Sequence, residues 1–175
     1  FPSASHQFHR LIDRLGGDYR LIAPDYPGFG HSAAPAPVSA GGEFVYSFDR
    51  LADVIERFCE RIGLNRFVMY MFDYGAPIGL RIATRHPEWI AGIAVQNGNA
   101  YEGLPESWDP MRAYWADPSP ATAESMRGFL TLEATKWQFT AGTKDPSQIS
   151  PDNFWHVQYL LDRPGNQDIQ LRLFY

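Results

Sequence analysis

The sequence predicts an α/β fold with a mostly parallel sheet and helices on both faces. Two apolar runs of strand length, Phe67–Phe72 and Ile90–Val95, are continuous rather than alternating, as strands covered on both faces must be. Helical periodicity separates them and precedes them. A third observation is the order. Strand, helix, strand, helix, strand at this spacing is the grammar of parallel crossover units.

Taken from the start, Phe8, Leu11, Ile12 and Leu15 recur at helical spacing, and Gly16-Gly17 stops that helix. Tyr19–Ala23 reads as a short strand ending in the turn-rich Asp25-Tyr-Pro-Gly-Phe-Gly-His-Ser32. A Pro/Ala/Gly stretch from Ala33 to Gly42 is a surface connection. Ser47 suits the cap of a helix to Ile62 that buries Leu51, Val54, Ile55, Phe58 and Ile62. After the Phe67–Phe72 strand comes Asp73, then a helix from Gly75 to His86 with Pro77 tolerated in its first turn. Beyond the strand at Ile90–Val95 the strand pattern ceases. Ser119-Pro120 and Ser150-Pro151 are cap-then-proline starts for helices near Ala121–Thr140 and Asp152–Leu161. Arg163-Pro-Gly165 breaks the second, and a third begins near Asn166. Residues 1–97 are thus expected to form part of a core, and residues 98–175 a helical, aromatic-rich insertion.

Composition narrows the function. The chain has 175 residues, 45% of them apolar, with five Trp, nine Tyr and twelve Phe, so it can bury a core. The formal charge is -5 and no basic run occurs, which disfavours nucleic acid as a partner. No apolar stretch approaches the ~20 residues of a membrane helix. The single cysteine, Cys59, rules out an internal disulfide framework and fits a reducing compartment, the cytoplasm. No C-x-x-C or H-E-x-x-H motif supports zinc, and no cofactor is expected. The chain opens on Phe1-Pro2 and stops at Tyr175 inside an apolar periodic stretch, so it is expected to be part of a longer one.

The chemistry is concentrated in Phe67-Val-Met-Tyr-Met-Phe-Asp73-Tyr-Gly75-Ala-Pro-Ile-Gly79. A buried strand running straight into Asp73, with a helix two residues later, lifts the Asp73 side chain above the C-terminal edge of the sheet, where open α/β sheets bind ligands. Gly75 and Gly79 supply the small residues that close strand–helix packing requires. Read alone, Asp73 is equally a helix cap. Three further features bear on it. Asp25-Tyr-Pro-Gly28-Phe-Gly30-His-Ser32 resembles the D-x-x-G-x-G-x-S turn of α/β-hydrolases, with Ser32 part of the turn and not a nucleophile. Phe1-Pro2 resembles the second half of their H-G-x-P oxyanion loop. The element order, with a helical cap inserted after a core strand, is similar to theirs over essentially the whole chain. Asp73 followed by Tyr74-Gly75 resembles the Asp-Trp-Gly of the haloalkane dehalogenase and epoxide hydrolase branch.

That resemblance implies a hydrolase in which Asp73 is the nucleophile. A carboxylate is ionised at pH 7 and needs no base to attack. It displaces halide or opens an epoxide at a saturated carbon, and water then hydrolyses the resulting ester. The resemblance further implies an oxyanion hole from the N–H groups of Tyr74 and Phe1, and a small apolar organic substrate. It places the histidine base after the last strand, beyond Tyr175. The acid that some relatives carry after the Ile90–Val95 strand is replaced by Gln96-Asn97, so it too is expected further on. Asn97 is either a hydrogen-bonding site residue or a polar strand end. Tyr101, Tyr114 and Tyr159 are candidates to protonate an alkoxide. Trp108 and Trp115, with Trp137 and Trp155, either donate to a leaving halide or line an apolar pocket. A serine-type esterase or a non-catalytic binding protein on the same fold is the alternative.

Overall fold

A computed structural model of the chain describes residues 1–101 and 106–175, so residues 102–105 lie outside the described residues. After a 3-10 turn at Ser5–Phe8 comes α1 (His9–Leu15), ended at Gly16. Helix α2 (Phe48–Arg61) starts where Ser47 accepts a hydrogen bond from the Arg50 N–H, satisfying one of the donors every helix start leaves free. Strand β1 (Phe67–Phe72) leads to α3 (Gly75–Arg85), and β2 (Ile90–Gln96) pairs with β1 in parallel, from Phe67 opposite Ile90 to Phe72 opposite Gln96.

Helix α3 lies against the β1 face that carries Met69 and Met71. A Cβ placed on Gly79 would meet the Met71 sulfur at 2.5 Å and the Met69 sulfur at 2.6 Å, so glycine is what allows the approach. Gly75 is different, because a Cβ there would meet only the Tyr26 hydroxyl, at an ordinary 3.9 Å. Helices α2 and α3 are joined at the surface by Arg81–Asp49 (2.6 Å), Arg85–Asp53 (2.7 Å) and His86–Glu56 (2.7 Å). Such exposed pairs contribute little each. On the opposite sheet face Phe8 stands edge-on to Tyr70, while Val68 and Tyr70 remain exposed.

The second half is helical among its described residues: α4 (Asp109–Ala116), α5 (Pro120–Met126), α6 (Leu132–Thr140), α7 (Pro151–Leu161) and α8 (Asn166–Phe174). Helices α6 and α7 are cross-linked by a satisfied buried amide. Gln158 accepts from the Thr135 hydroxyl at 2.7 Å and donates to the Leu130 carbonyl at 3.0 Å. Helix α8 holds the halves together. Its Ile169 and Leu173 join Phe29, Tyr46, Leu51 and Ile78 in one apolar cluster. Its Leu171 and Phe174 join Tyr114, Met126 and Leu130 in another. Tyr74 packs against both clusters.

Four elements differ from expectation. Tyr19–Ala23 is not a strand, because among the described residues it has no neighbouring strand to bond. Leu21 and Ile22 face Met69 of β1 across a cleft of about 340 Å³. The run predicted as one helix over 121–140 divides in two. A 3-10 turn at Arg127–Leu130 intervenes, and the Thr131 hydroxyl accepts from the Ala134 N–H to start α6 afresh. Along α2 the fully buried residues are Leu51, Ala52 and Cys59, while Val54, Ile55 and Phe58 are half-buried. Helix α4 lies in a stretch whose sequence announced no element.

The turn after residue 24 is built on Asp25. Its carboxylate accepts from the Ser5 N–H at 2.7 Å and the His31 N–H at 2.9 Å, and the Ser32 hydroxyl donates to the Asp25 carbonyl at 2.7 Å. Gly30, at φ 51°, leaves so little room that a Cβ would lie 2.2 Å from the carboxylate. Gly30→Ala is therefore expected to destabilise the protein by about 2–4 kcal/mol, combining left-handed strain with loss of the Asp25 bonds. Gly17→Ala, where a Cβ meets nothing within 4 Å, is expected to stay within about 0.5 kcal/mol of the parent. Urea unfolding of the two variants measures the contrast.

Candidate active site

Strand β1 delivers Asp73 to the C-terminal edge of the sheet, and there the backbone turns left-handed, with φ 48° at Asp73. Non-glycine residues adopt this conformation uncommonly, Asp and Asn most readily. The neighbouring strand repeats it. Phe72 pairs with Gln96, and Asn97 beyond has φ 46°. Two strained residues thus stand side by side where the parallel strands end. Gly98 lets β2 turn away, since a Cβ there would lie 2.6 Å from the Ala76 Cβ.

The Asp73 carboxylate is not a helix cap. The residue flanking α3 is Tyr74, and no side chain caps that end. Instead Asp73 Oδ1 receives two donors, the Tyr74 backbone N–H at 2.7 Å and the positively charged α-amino group of Phe1 at 2.9 Å, the second contact being an ion pair. Among the described residues Oδ2 receives none, and the side chain is 39% exposed. One oxygen is held and, among the described residues, the other is open. The Tyr74 ring points the other way, into an aromatic nest with Phe1 (5.3 Å), Phe48 (4.9 Å) and Phe29 (6.4 Å). Burial, and then the Asp73 charge, push its phenol well above the ordinary tyrosine range, so it stays protonated. Beneath the turn, burial raises the Tyr26 phenol to about 12.

The α/β hydrolase fold family model matches residues 1–146. The chain belongs to that family. It is similar to the uncharacterized hydrolase YNR064C of Saccharomyces cerevisiae, 37% identical over 180 residues, covering all of this chain and 60% of that one. Haloalkane dehalogenase 2 of Mycobacterium tuberculosis is 32% identical over 96 residues, which is 55% of this chain and 32% of the relative. The solved epoxide hydrolase CorEH shares the fold, with a TM-score of 0.71 at 14% identity over 99% of this chain and 63% of that one. The chain therefore spans about 60% of the length of the curated relative that it matches along its whole length.

Within this α/β-hydrolase frame the helical half spreads its expected site residues. Tyr114 is buried, and its hydroxyl donates to the Leu171 carbonyl at 3.2 Å. The Trp115 indole N–H donates to the Phe174 carbonyl at 2.5 Å, and Trp108 leans on Trp115 with ring centres 6.3 Å apart. Both polar hydrogens are thus committed to α8. Tyr101 is 88% exposed and lines a separate surface groove with Arg81 and Arg85, while Tyr159 is 71% exposed. The structure brings together Asp73, Tyr74, Phe1 and, one strand over, Asn97. Of the histidines, His86 is bonded to Glu56 and stacked on Trp89 at 3.9 Å.

Sequence reasoning missed Asp25 as the hub of its turn and Arg163 as a clamp. The Arg163 guanidinium donates to the Gly30 and Ser32 carbonyls from across the molecule. The D-x-x-G-x-G-x-S pattern held the first signal. Nothing local marks the second. If the edge is strained as its dihedrals indicate, Asn97→Gly is expected to stabilise the protein by about 0.5–1 kcal/mol, and Asn97→Val to destabilise it by more than about 1 kcal/mol. The shift in the urea midpoint of each variant provides the check.

Proposed function

We propose that the chain carries the nucleophilic half of a hydrolase of the haloalkane dehalogenase and epoxide hydrolase type. The observation that supports this best is the division of labour at Asp73: Oδ1 takes two N–H bonds while Oδ2 takes none. In the first step Oδ2 attacks a saturated carbon. The C–O bond forms as the carbon–halogen or epoxide C–O bond breaks, and the departing group carries the electron pair away. The Asp73 carboxylate becomes an alkyl ester with Oδ1 as its carbonyl oxygen. In the second step water gives up a proton to a base and adds to the carbonyl carbon of that ester, and negative charge builds on Oδ1. The adduct then collapses by breaking the Cγ–Oδ2 bond, so Oδ2 leaves with the protonated product alcohol and the water oxygen stays in the Asp73 carboxylate. The Tyr74 and Phe1 nitrogens already point at Oδ1, so they meet the charge without rearrangement.

The substrate class follows from the surroundings. The ring wall behind Asp73, made of Phe1, Tyr74, Phe48 and Phe174, is apolar and favours a small organic electrophile. Because the Tyr74 phenol is turned into that wall, its contribution comes through the backbone N–H, and a leaving halide or alkoxide draws its donors from elsewhere. The Ser32 hydroxyl is committed to the Asp25 carbonyl, which speaks against it as a serine nucleophile. The base that activates water and its acid partner are assigned, by family resemblance, to the protein beyond Tyr175.

Single turnover of the whole protein in ¹⁸O water, with enzyme in excess over an epoxide or haloalkane, is expected to place label in the Asp73 carboxylate. Label confined to the product would remove the ester mechanism. Asp73→Ala is expected to lower kcat by at least about 10⁴-fold, as loss of a covalent nucleophile does, with turnover followed by product release.

A further inference from the structure

Four of the five histidines gather where the N-terminal segment, the 25–32 turn and α7 meet. His6 and His9 are stacked at 4.7 Å, His156 of α7 lies 4.6 Å from His6, and His31 of the turn lies 5.6 Å from His156. The reaction at Asp73 uses none of them. Among the described residues no three His, Cys, Asp or Glu side chains converge as metal ligands, so the cluster needs another account.

We propose that this cluster is an acid-sensitive seam, which keeps the middle of α7 against the Ser5–Phe8 turn and the 25–32 turn at neutral pH and releases it as positive charge builds up in the cluster in acid. The neutral arrangement is favourable, because stacked and tilted imidazoles cover one another's apolar faces. The His9 Nδ1–H donates to the His6 carbonyl at 2.8 Å, which fixes that ring. Imidazole gains its charge between about pH 7 and 5, and like charges on rings this close repel.

The groups facing His6 are His9 on its own segment, His31 on the turn, and His156 and Asp152 on α7. The Asp25 carboxylate is engaged by the Ser5 and His31 N–H groups. Asp152 is the acid on α7 that counters the imidazoles. Loss of hydration, then His156 and His9, and more weakly His31, hold His6 below the ordinary histidine range in spite of Asp152. The sign is then fixed. A base whose pKa is depressed in the folded state binds fewer protons folded than unfolded. Its penalty is absent above about pH 6.5 and grows as pH falls through that value.

The seam has a fixed end. Arg163, just beyond α7, donates to the Gly30 and Ser32 carbonyls, and a guanidinium keeps its charge throughout this range. Acid therefore frees the part of α7 around Asp152 and His156 while its C-terminal end stays pinned. The movement is passed on, because α7 is bonded to α6 through Gln158 and Thr135 and packs on α8, whose Leu171 and Phe174 cluster with Phe1 and Tyr74, the two residues that donate to Asp73.

The test is hydrogen exchange read by mass spectrometry on the peptide spanning 151–161, in the whole protein at pH 7.5 and 5.5, corrected for the intrinsic pH dependence of exchange. Protection is expected to fall about fivefold or more at pH 5.5 in the parent and less than about twofold in His6→Gln and in His156→Gln. His6 is exposed, so His6→Gln decides the matter even if His156→Gln fails to fold. Protection that does not change with pH in the parent, or that falls equally in His6→Gln, would overturn the proposal.

Discussion

Asp73 leaves β1 through a left-handed backbone, and its carboxylate is caught at once by the Tyr74 N–H and the Phe1 nitrogen. The rest of the structure is arranged around that turn. A residue at φ 48° costs of order 1 kcal/mol or more and persists only where its neighbours leave no alternative. Here the strand in front is fixed by its pairing with β2. The helix behind is pressed onto Met69 and Met71 through Gly79. Neither element can shift to relax the turn, so the carboxylate is held above the sheet edge.

The layers outside it follow. Asp25 ties the 25–32 turn to Ser5 and so to the segment that begins with Phe1. Phe1 in turn brings its nitrogen to Asp73 and its ring to Tyr74 and Phe174. Tyr74 thus does two jobs with different parts. Its N–H faces Oδ1, and its ring joins the two apolar clusters. Helix α8 closes the other side, placing residues in both clusters and accepting the Tyr114 and Trp115 donors on its backbone. A change in how the helical half is seated is therefore felt at Phe1 and Tyr74 first.

Much of this was legible in the sequence, and the limits have physical causes. The strands at 67–72 and 90–96 are continuous apolar runs, and the caps at Ser47 and Ser119 are local chemistry, so both kinds of element declare themselves. The position of Asp73 follows from its place between strand and helix. The donors to Oδ1 were expected only by family resemblance, since they come from residues 72 positions apart in one case. Tyr19–Ala23 has a strand's composition, but strand structure depends on a neighbour to bond, and β1 lies across a cleft. Residues 121–140 keep helical propensity throughout, so the competing cap at Thr131 gave no signal strong enough to divide them. The histidine cluster was invisible for the plainest reason: His6, His31 and His156 meet only through the tertiary fold.

The two oxygens of the Asp73 carboxylate carry the proposed division of roles. They are distinguished most directly by a crystal structure of the whole protein soaked with a slowly hydrolysed haloalkane or epoxide, caught before the ester is released. The structure predicts density continuous from Asp73 Oδ2 to the substrate carbon, with Oδ1 still within hydrogen-bond distance of the Tyr74 and Phe1 nitrogens. Substrate bonded to another side chain, or an ester whose carbonyl oxygen has left those two nitrogens, would contradict it.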